Sequence, residues 1–143
     1  MLNVYDFYSN PKSLTGYKDR IKYIPDLAYE KAIKTPNRRS PELEPTIMKN
    51  SVTACWYAEI IIKGRWPEAE PIIMKNTSAA YWYAADDIKG RWPEAEPIIM
   101  KDPSNAYQYA LKIIKGRWPE AEPYIMKDPE YAAKYKEFIK SVG

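Results

Sequence analysis

Histidine is absent from all 143 residues, and cysteine occurs once, as Cys55. Lack of histidine removes the commonest general base and the commonest metal ligand. A lone cysteine excludes an internal disulfide and most thiolate metal sites. The five glycines are Gly16, Gly64, Gly90, Gly116 and Gly143, which make no Gly-rich phosphate loop, and the carboxylates form no clustered acid/base site. The sequence therefore predicts no enzyme, no metal and no cofactor. Its chemistry is that of recognition, carried by five tryptophans and thirteen tyrosines. Trp66, Trp92 and Trp118 recur in identical surroundings, whereas Trp56 and Trp82 stand in a stretch that varies from copy to copy.

The element that places these side chains is a tandem repeat. GRWPEAEPIIMK begins at Gly64, returns unchanged at Gly90, and comes back at Gly116 as GRWPEAEPYIMK. Each step is 26 residues, and an older copy, PELEPTIMK from Pro41, keeps the same register. A period of this length marks an architecture in which no unit buries its own apolar face. The prediction is an all-α protein, an α-solenoid of antiparallel helix pairs, with about four repeats following an N-terminal helical cap.

Each repeat divides into a short first helix and a longer second one. In the second copy the first helix is expected from about Pro67 to Lys75, with proline tolerated at the opening position. Pro71 within its first turn predicts an irregular or 3₁₀ start. The second helix opens at Asn76, Asp102 or Asp128 as N-cap, with Pro103 and Pro129 following. It is expected to close at Lys63, Lys89 or Lys115, with Gly64, Gly90 or Gly116 taking the left-handed conformation. Ala54, Tyr57, Ala58, Ile61 and Ile62 fall on one helical face, as do Ala106, Tyr109, Ala110, Ile113 and Ile114. Trp66, Trp92 and Trp118 are expected to pack, and Met48, Met74, Met100 and Met126 to fill gaps in the core. Cys55, equivalent to Tyr81 and Tyr107, is read as a packing residue. Asp87 interrupts the stripe at the position of Ile61 and Ile113, so its carboxylate must find a partner, reach solvent or change its protonation. Arg65 or Arg91 is the nearest expected source of charge.

Residues 1–40 are expected to form an irregular lead-in and helical cap, with one helix ending about Ile24 and a second from about Asp26 to Lys34. Residues 41–143 are expected to hold the repeats and a polar C-terminal cap, the whole being a single domain. The apolar content of 45% and charged content of 29% are those of an ordinary globular protein. No apolar run spans a bilayer and the first residues show no signal-peptide pattern, so a cytoplasmic protein without a membrane partner is expected. Net charge is +3, carried by the first 40 residues, which leaves the repeats nearly neutral.

The unit read from Gly90 to Lys115, GRWPEAEPIIMKDPSNAYQYALKIIK, resembles the helical repeats of uncharacterised tailed-bacteriophage proteins and, more loosely, those of giant-virus proteins. The likeness covers about residues 41–140 and is carried by the GRWPEAEP string. The first copy departs from it, with Ser40 in place of tryptophan and Arg38 in place of glycine. The resemblance implies a phage protein working in the bacterial host cytosol against a host component. It brings no catalytic residues with it.

The expected function is non-enzymatic binding, with a host protein or defence complex as the partner to be inhibited. Repeat scaffolds vary on their outer surface over a fixed core, and here the variable positions of the second helix oppose the apolar stripe. The expected partner-binding residues are Trp56, Glu59, Ile60, Trp82, Asp86, Gln108 and Lys112, with Trp56 and Ile60 forming one patch by their spacing of four. Packing of these tryptophans beneath a neighbouring repeat is the competing reading. Nucleic-acid binding, with the tryptophans stacking on bases and a basic loop of Arg38 and Arg39 on phosphates, is disfavoured by near-neutral repeats. A nucleotide-like ligand held between repeat aromatics is a further alternative.

Overall fold

The computed structural model describes residues 25–35 and 38–142, and the lead-in and first expected helix lie outside the described residues. Among the described residues every regular element is helical and no strand occurs. Helix α1 (Pro25–Ile33) matches the second helix expected of the cap. Two compact units follow by contact, one ending at Ile72 and the other beginning at Ile73.

The first unit contains α1, the short α2 (Glu44–Ile47) and α3 (Ser51–Tyr57). Helix α3 continues into a π-helical segment, π1 (Ala58–Ile62), and a 3₁₀ turn follows at Pro67–Ala69. Helices α1, α2 and α3 pack against one another. The short α4 (Glu70–Ile73) carries the chain into the second unit. There α5 (Thr77–Tyr83) runs into π2 (Ala84–Ile88), α6 (Glu96–Ile99) follows, and α7 (Pro103–Tyr109) runs into π3 (Ala110–Ile114). The short α8 (Glu122–Ile125) and the long α9 (Pro129–Val142) complete it. Within this unit α6 contacts both α5 and α7, and α8 contacts both α7 and α9. Each of these two short helices therefore packs on the long helices before and after it.

The first helix of each repeat is shorter than expected, a single α-turn rather than a run to Lys75. Pro97 has no N–H to offer the carbonyl of Pro93 four residues back, and its ring would collide with that carbonyl. Glu96 N–H instead reaches back to Trp92 and Pro93, at 3.1 and 3.3 Å. The same pair of prolines gives the expected 3₁₀ opening at Pro67. Shortening moves the methionines out of the core. Met48, Met100 and Met126 are the residues that end the turn, and these three and Met74 are partly or well exposed. Ile47, Ile73, Ile99 and Ile125 occupy the buried positions instead.

The second helices begin as expected. Asn50 accepts from the amides of Val52 and Thr53, Asn76 from Ala79, Asp102 from Asn105, and Asp128 from Glu130 and Tyr131. Their ends differ from expectation in two linked ways. The last five residues of three of them widen into a π-turn, and the left-handed residue is the lysine, not the glycine. Lys63, Lys89 and Lys115 sit at φ 60°, while Gly64, Gly90 and Gly116 avoid the positive-φ region and have open space where a Cβ would stand. The cause is the extra residue in the wide turn. Lys63 N–H bonds Ala58 O at 2.6 Å and Gly64 N–H reaches the same carbonyl at 3.4 Å, and the pattern recurs at Ala84 and Ala110. The helix-ending bridge is thus one residue wider than after an α-helix, and the reversal falls one residue earlier.

Widening also ends the apolar stripe early. Ala54, Tyr57, Ala58, Ala106, Tyr109 and Ala110 are wholly buried, but Ile62, Ile113 and Ile114 are only half-buried. Helix α9 remains α-helical through Val142. There Lys136 stands where the other copies have a buried alanine. Among the described residues no helix is long and apolar enough to cross a membrane.

Candidate interaction face

The outer face is held in place by a polar clamp repeated with the 26-residue period. In the first unit, Arg39 donates from Nε and Nη2 to the two oxygens of Glu44, at 2.9 and 2.8 Å. The Tyr57 hydroxyl donates to Glu44 at 2.7 Å and accepts the Ser40 backbone N–H at 2.8 Å. In the second unit Arg91 grips Glu96 in the same way. Tyr109 donates to Glu96 at 3.0 Å and accepts Trp92 N–H at 2.8 Å. Arg117, Glu122, Tyr135 and Trp118 N–H repeat the set. Arg65 and Glu70 make the same bidentate pair. A two-pronged guanidinium–carboxylate pair is among the stronger hydrogen-bonded arrangements. Here it also orients a buried tyrosine that satisfies an otherwise orphaned backbone donor.

Electrostatics follow from this packing. Burial, with the Glu44 carboxylate adding to it, pushes the Tyr57 hydroxyl up to about 12. Burial also raises Tyr109 and Tyr135. The Arg39 hydrogen bonds hold Glu44 below the usual carboxylate range. At Glu122 burial works the other way, yet Arg117 and Tyr135 outweigh it and the carboxyl is lowered. Tyr57, Tyr109 and Tyr135 thus stay protonated, and Glu44 and Glu122 stay charged, through the neutral range.

Tyr57, Tyr83 and Tyr109 are each covered by the tryptophan that follows the helix. Ring centroids lie 5.0 Å apart for Tyr57 and Trp66, 4.9 Å for Tyr83 and Trp92, and 4.7 Å for Tyr109 and Trp118. Trp66, Trp92 and Trp118 are packed into the interior, as expected. The structure places the other two tryptophans differently. Trp56 is 47% exposed and Trp82 52% exposed, and Ile60 is 40% exposed. Trp56 rests one side of its ring on Tyr29, at 5.7 Å, and Trp82 contacts Tyr81 at 5.2 Å. Glu59 and Ile60 are exposed beside Trp56 in the first unit. In the second unit Asp86 and Lys112 are exposed and Gln108 is half-buried.

Arg38 is exposed. Its neighbour Arg39 occupies the clamp position of Arg65, Arg91 and Arg117, so its charge is engaged by Glu44. Asp87 is buried. Arg91, one of its two expected charge partners, is engaged by Glu96, and Arg65 by Glu70.

Sequence reasoning missed the clamp. The signal was available in the fixed spacing of arginine and glutamate five apart, with tyrosine thirteen beyond the glutamate. It also missed a concave site in the second unit, about 330 Å³ in volume, where Asp86, Lys89, Lys112 and Lys115 converge around Gly90. Among the described residues no group of histidine, cysteine, aspartate or glutamate is arranged to hold a metal ion. No family model, no curated protein and no solved structure matches the chain.

Proposed function

We propose that this chain is a non-enzymatic helical-repeat binding protein of the α-solenoid class, in which antiparallel helix pairs form a rigid scaffold and the outer positions of the second helices meet a protein partner. In the setting implied by the repeat's resemblance, it is a phage protein in the host cytosol, and the partner is a host protein or defence complex whose action it blocks. One observation carries the reading. Two tryptophans at the same position of successive repeats stand half in water, while three others, built into the same scaffold, are fully enclosed. Large apolar side chains left partly in solvent mark interaction sites, and tryptophan is prominent among the residues that dominate binding energy. The clamps support the same view, because they fix the backbone of the second helices without using the outward-facing side chains.

The experiment is affinity capture from bacterial lysate with the unaltered chain and with the Trp56→Ala, Trp82→Ala double variant, alongside thermal melting of both. The reading expects a captured protein to be lost from the double variant while the melting curve remains cooperative. Replacement of a binding anchor typically costs about 2 kcal/mol or more, roughly thirtyfold in affinity. Equal capture by both proteins would remove the tryptophans from the partner site. Capture that is abolished by moderate salt and by nuclease would point to nucleic acid instead.

A further inference from the structure

We infer that the concave site at the ends of π2 and π3 binds a compact polyphosphate anion, a function separate from the tryptophan-bearing positions. The four clamping arginines are each neutralised by a glutamate. The lysines of this site are not. Among the described residues, Lys89, Lys112 and Lys115 make no side-chain hydrogen bond or ion pair, although all three line one cavity.

Two of the three belong to the scaffold. Lys89 and Lys115 end their helices in the left-handed conformation, and lysine at that place offsets the negative end of a helix dipole. Lys112 is additional, because the equivalent residues in the preceding copies are Ile60 and Asp86. Against three ammonium groups stand Asp86 and the two helix ends, each end equivalent to about half a negative charge. The cavity is left with a positive balance of about one charge. Its size lies at the lower end of small-ligand sites, which suits two or three phosphoryl groups. Three ammoniums present mobile point charges with three donors each and lack the planar fork that selects a carboxylate. They suit the oxygens of a phosphoryl chain, which point in several directions.

The chain can be inorganic or part of a nucleoside polyphosphate, and the two sources are separated by the probes. The test is an NMR titration of the full chain at low ionic strength with inorganic tripolyphosphate, a nucleoside triphosphate and the free nucleoside. Expected are amide shifts confined to residues 85–90 and 111–116 with either phosphate probe and none with the nucleoside. A tighter fit for the nucleoside triphosphate assigns the nucleotide as ligand, and equal affinity assigns the phosphate chain alone. Lys112→Ile, which copies Ile60, should weaken tripolyphosphate by about tenfold, the effect of losing one charge-assisted contact. Lys112→Gln should do the same. Asp86→Asn should tighten it, and Lys136→Gln on α9, which removes the same charge from elsewhere, should leave it unchanged. The inference is overturned if tripolyphosphate at millimolar concentration moves no amide in the cavity. It is equally overturned if Lys112→Gln and Lys136→Gln weaken binding alike, since the charge effect is then diffuse.

Discussion

Replacing Tyr109 by phenylalanine removes one oxygen and leaves the ring against Trp118. That oxygen makes two hydrogen bonds, accepting Trp92 N–H at 2.8 Å and donating to Glu96 at 3.0 Å. Trp92 and Tyr109 are both buried, so the indole residue's backbone N–H loses its partner where water cannot easily replace it. An unsatisfied buried donor costs about 1–3 kcal/mol, and a hydrogen bond to a charged group contributes about 1.5–3 kcal/mol. Glu96 keeps both arginine bonds, which discounts the second figure. The expected loss is about 2–4 kcal/mol, within the range of broken buried networks. Urea unfolding should show it as a lower midpoint with an unchanged slope. Tyr107→Phe is the control, because its hydroxyl makes no hydrogen bond among the described residues, and it should shift stability by less than about 0.5 kcal/mol. A Tyr109→Phe loss no larger than the control's would refute the clamp as a source of stability.

Lys89→Gly should stabilise the fold by about 1 kcal/mol, since a left-handed residue with a side chain carries a penalty that glycine lacks; a lower melting temperature would show that the lysine side chain outweighs that strain. Stability should be flat across neutral pH and fall at both extremes. Glu44, held low by Arg39, contributes stability that is present above the ordinary carboxylate range and lost as pH falls through its lowered value. Tyr57, raised to about 12, contributes stability that is present below the ordinary tyrosine value of about 10 and lost as pH climbs from there towards 12. Melting temperatures for the unaltered chain and Tyr57→Phe check this, the variant having the shallower alkaline fall. Asp87→Ile restores the residue of Ile61 and Ile113 and should leave stability unchanged or higher; a loss above about 2 kcal/mol would mean that the buried carboxylate belongs to a network.

The sequence's legible features were those that depend on periodicity and local chemistry. The 26-residue register, the asparagine and aspartate caps, the first half of the apolar stripe and the enclosed Trp66, Trp92 and Trp118 all follow from spacing and residue type. The π-turns did not, because Ala58–Ile62 reads equally well as α-helix. The helix that stays α-helical, α9, carries Lys136 at the position of Ala58, Ala84 and Ala110, a difference that does not by itself announce a wider turn. The glycine assignment failed for the same reason, since one added residue in the turn moves the left-handed position onto the lysine. The clamp joins Arg91 and Glu96 to Tyr109 on another helix, and no local pattern ranks that pairing above a surface ion pair. Helical geometry sets Trp56 and Trp82 opposite the apolar stripe but leaves open whether a neighbouring repeat covers them, and only the structure shows both about half exposed.

The central claim is that two tryptophans serve the surface and three serve the core, and single-residue unfolding energies test it most directly. Urea unfolding of Trp56→Ala and Trp82→Ala should show losses less than half that of Trp92→Ala, which removes an enclosed ring and should cost about 3–5 kcal/mol. Losses at Trp56 and Trp82 as large as that at Trp92 would contradict the claim and return both residues to the packed interior.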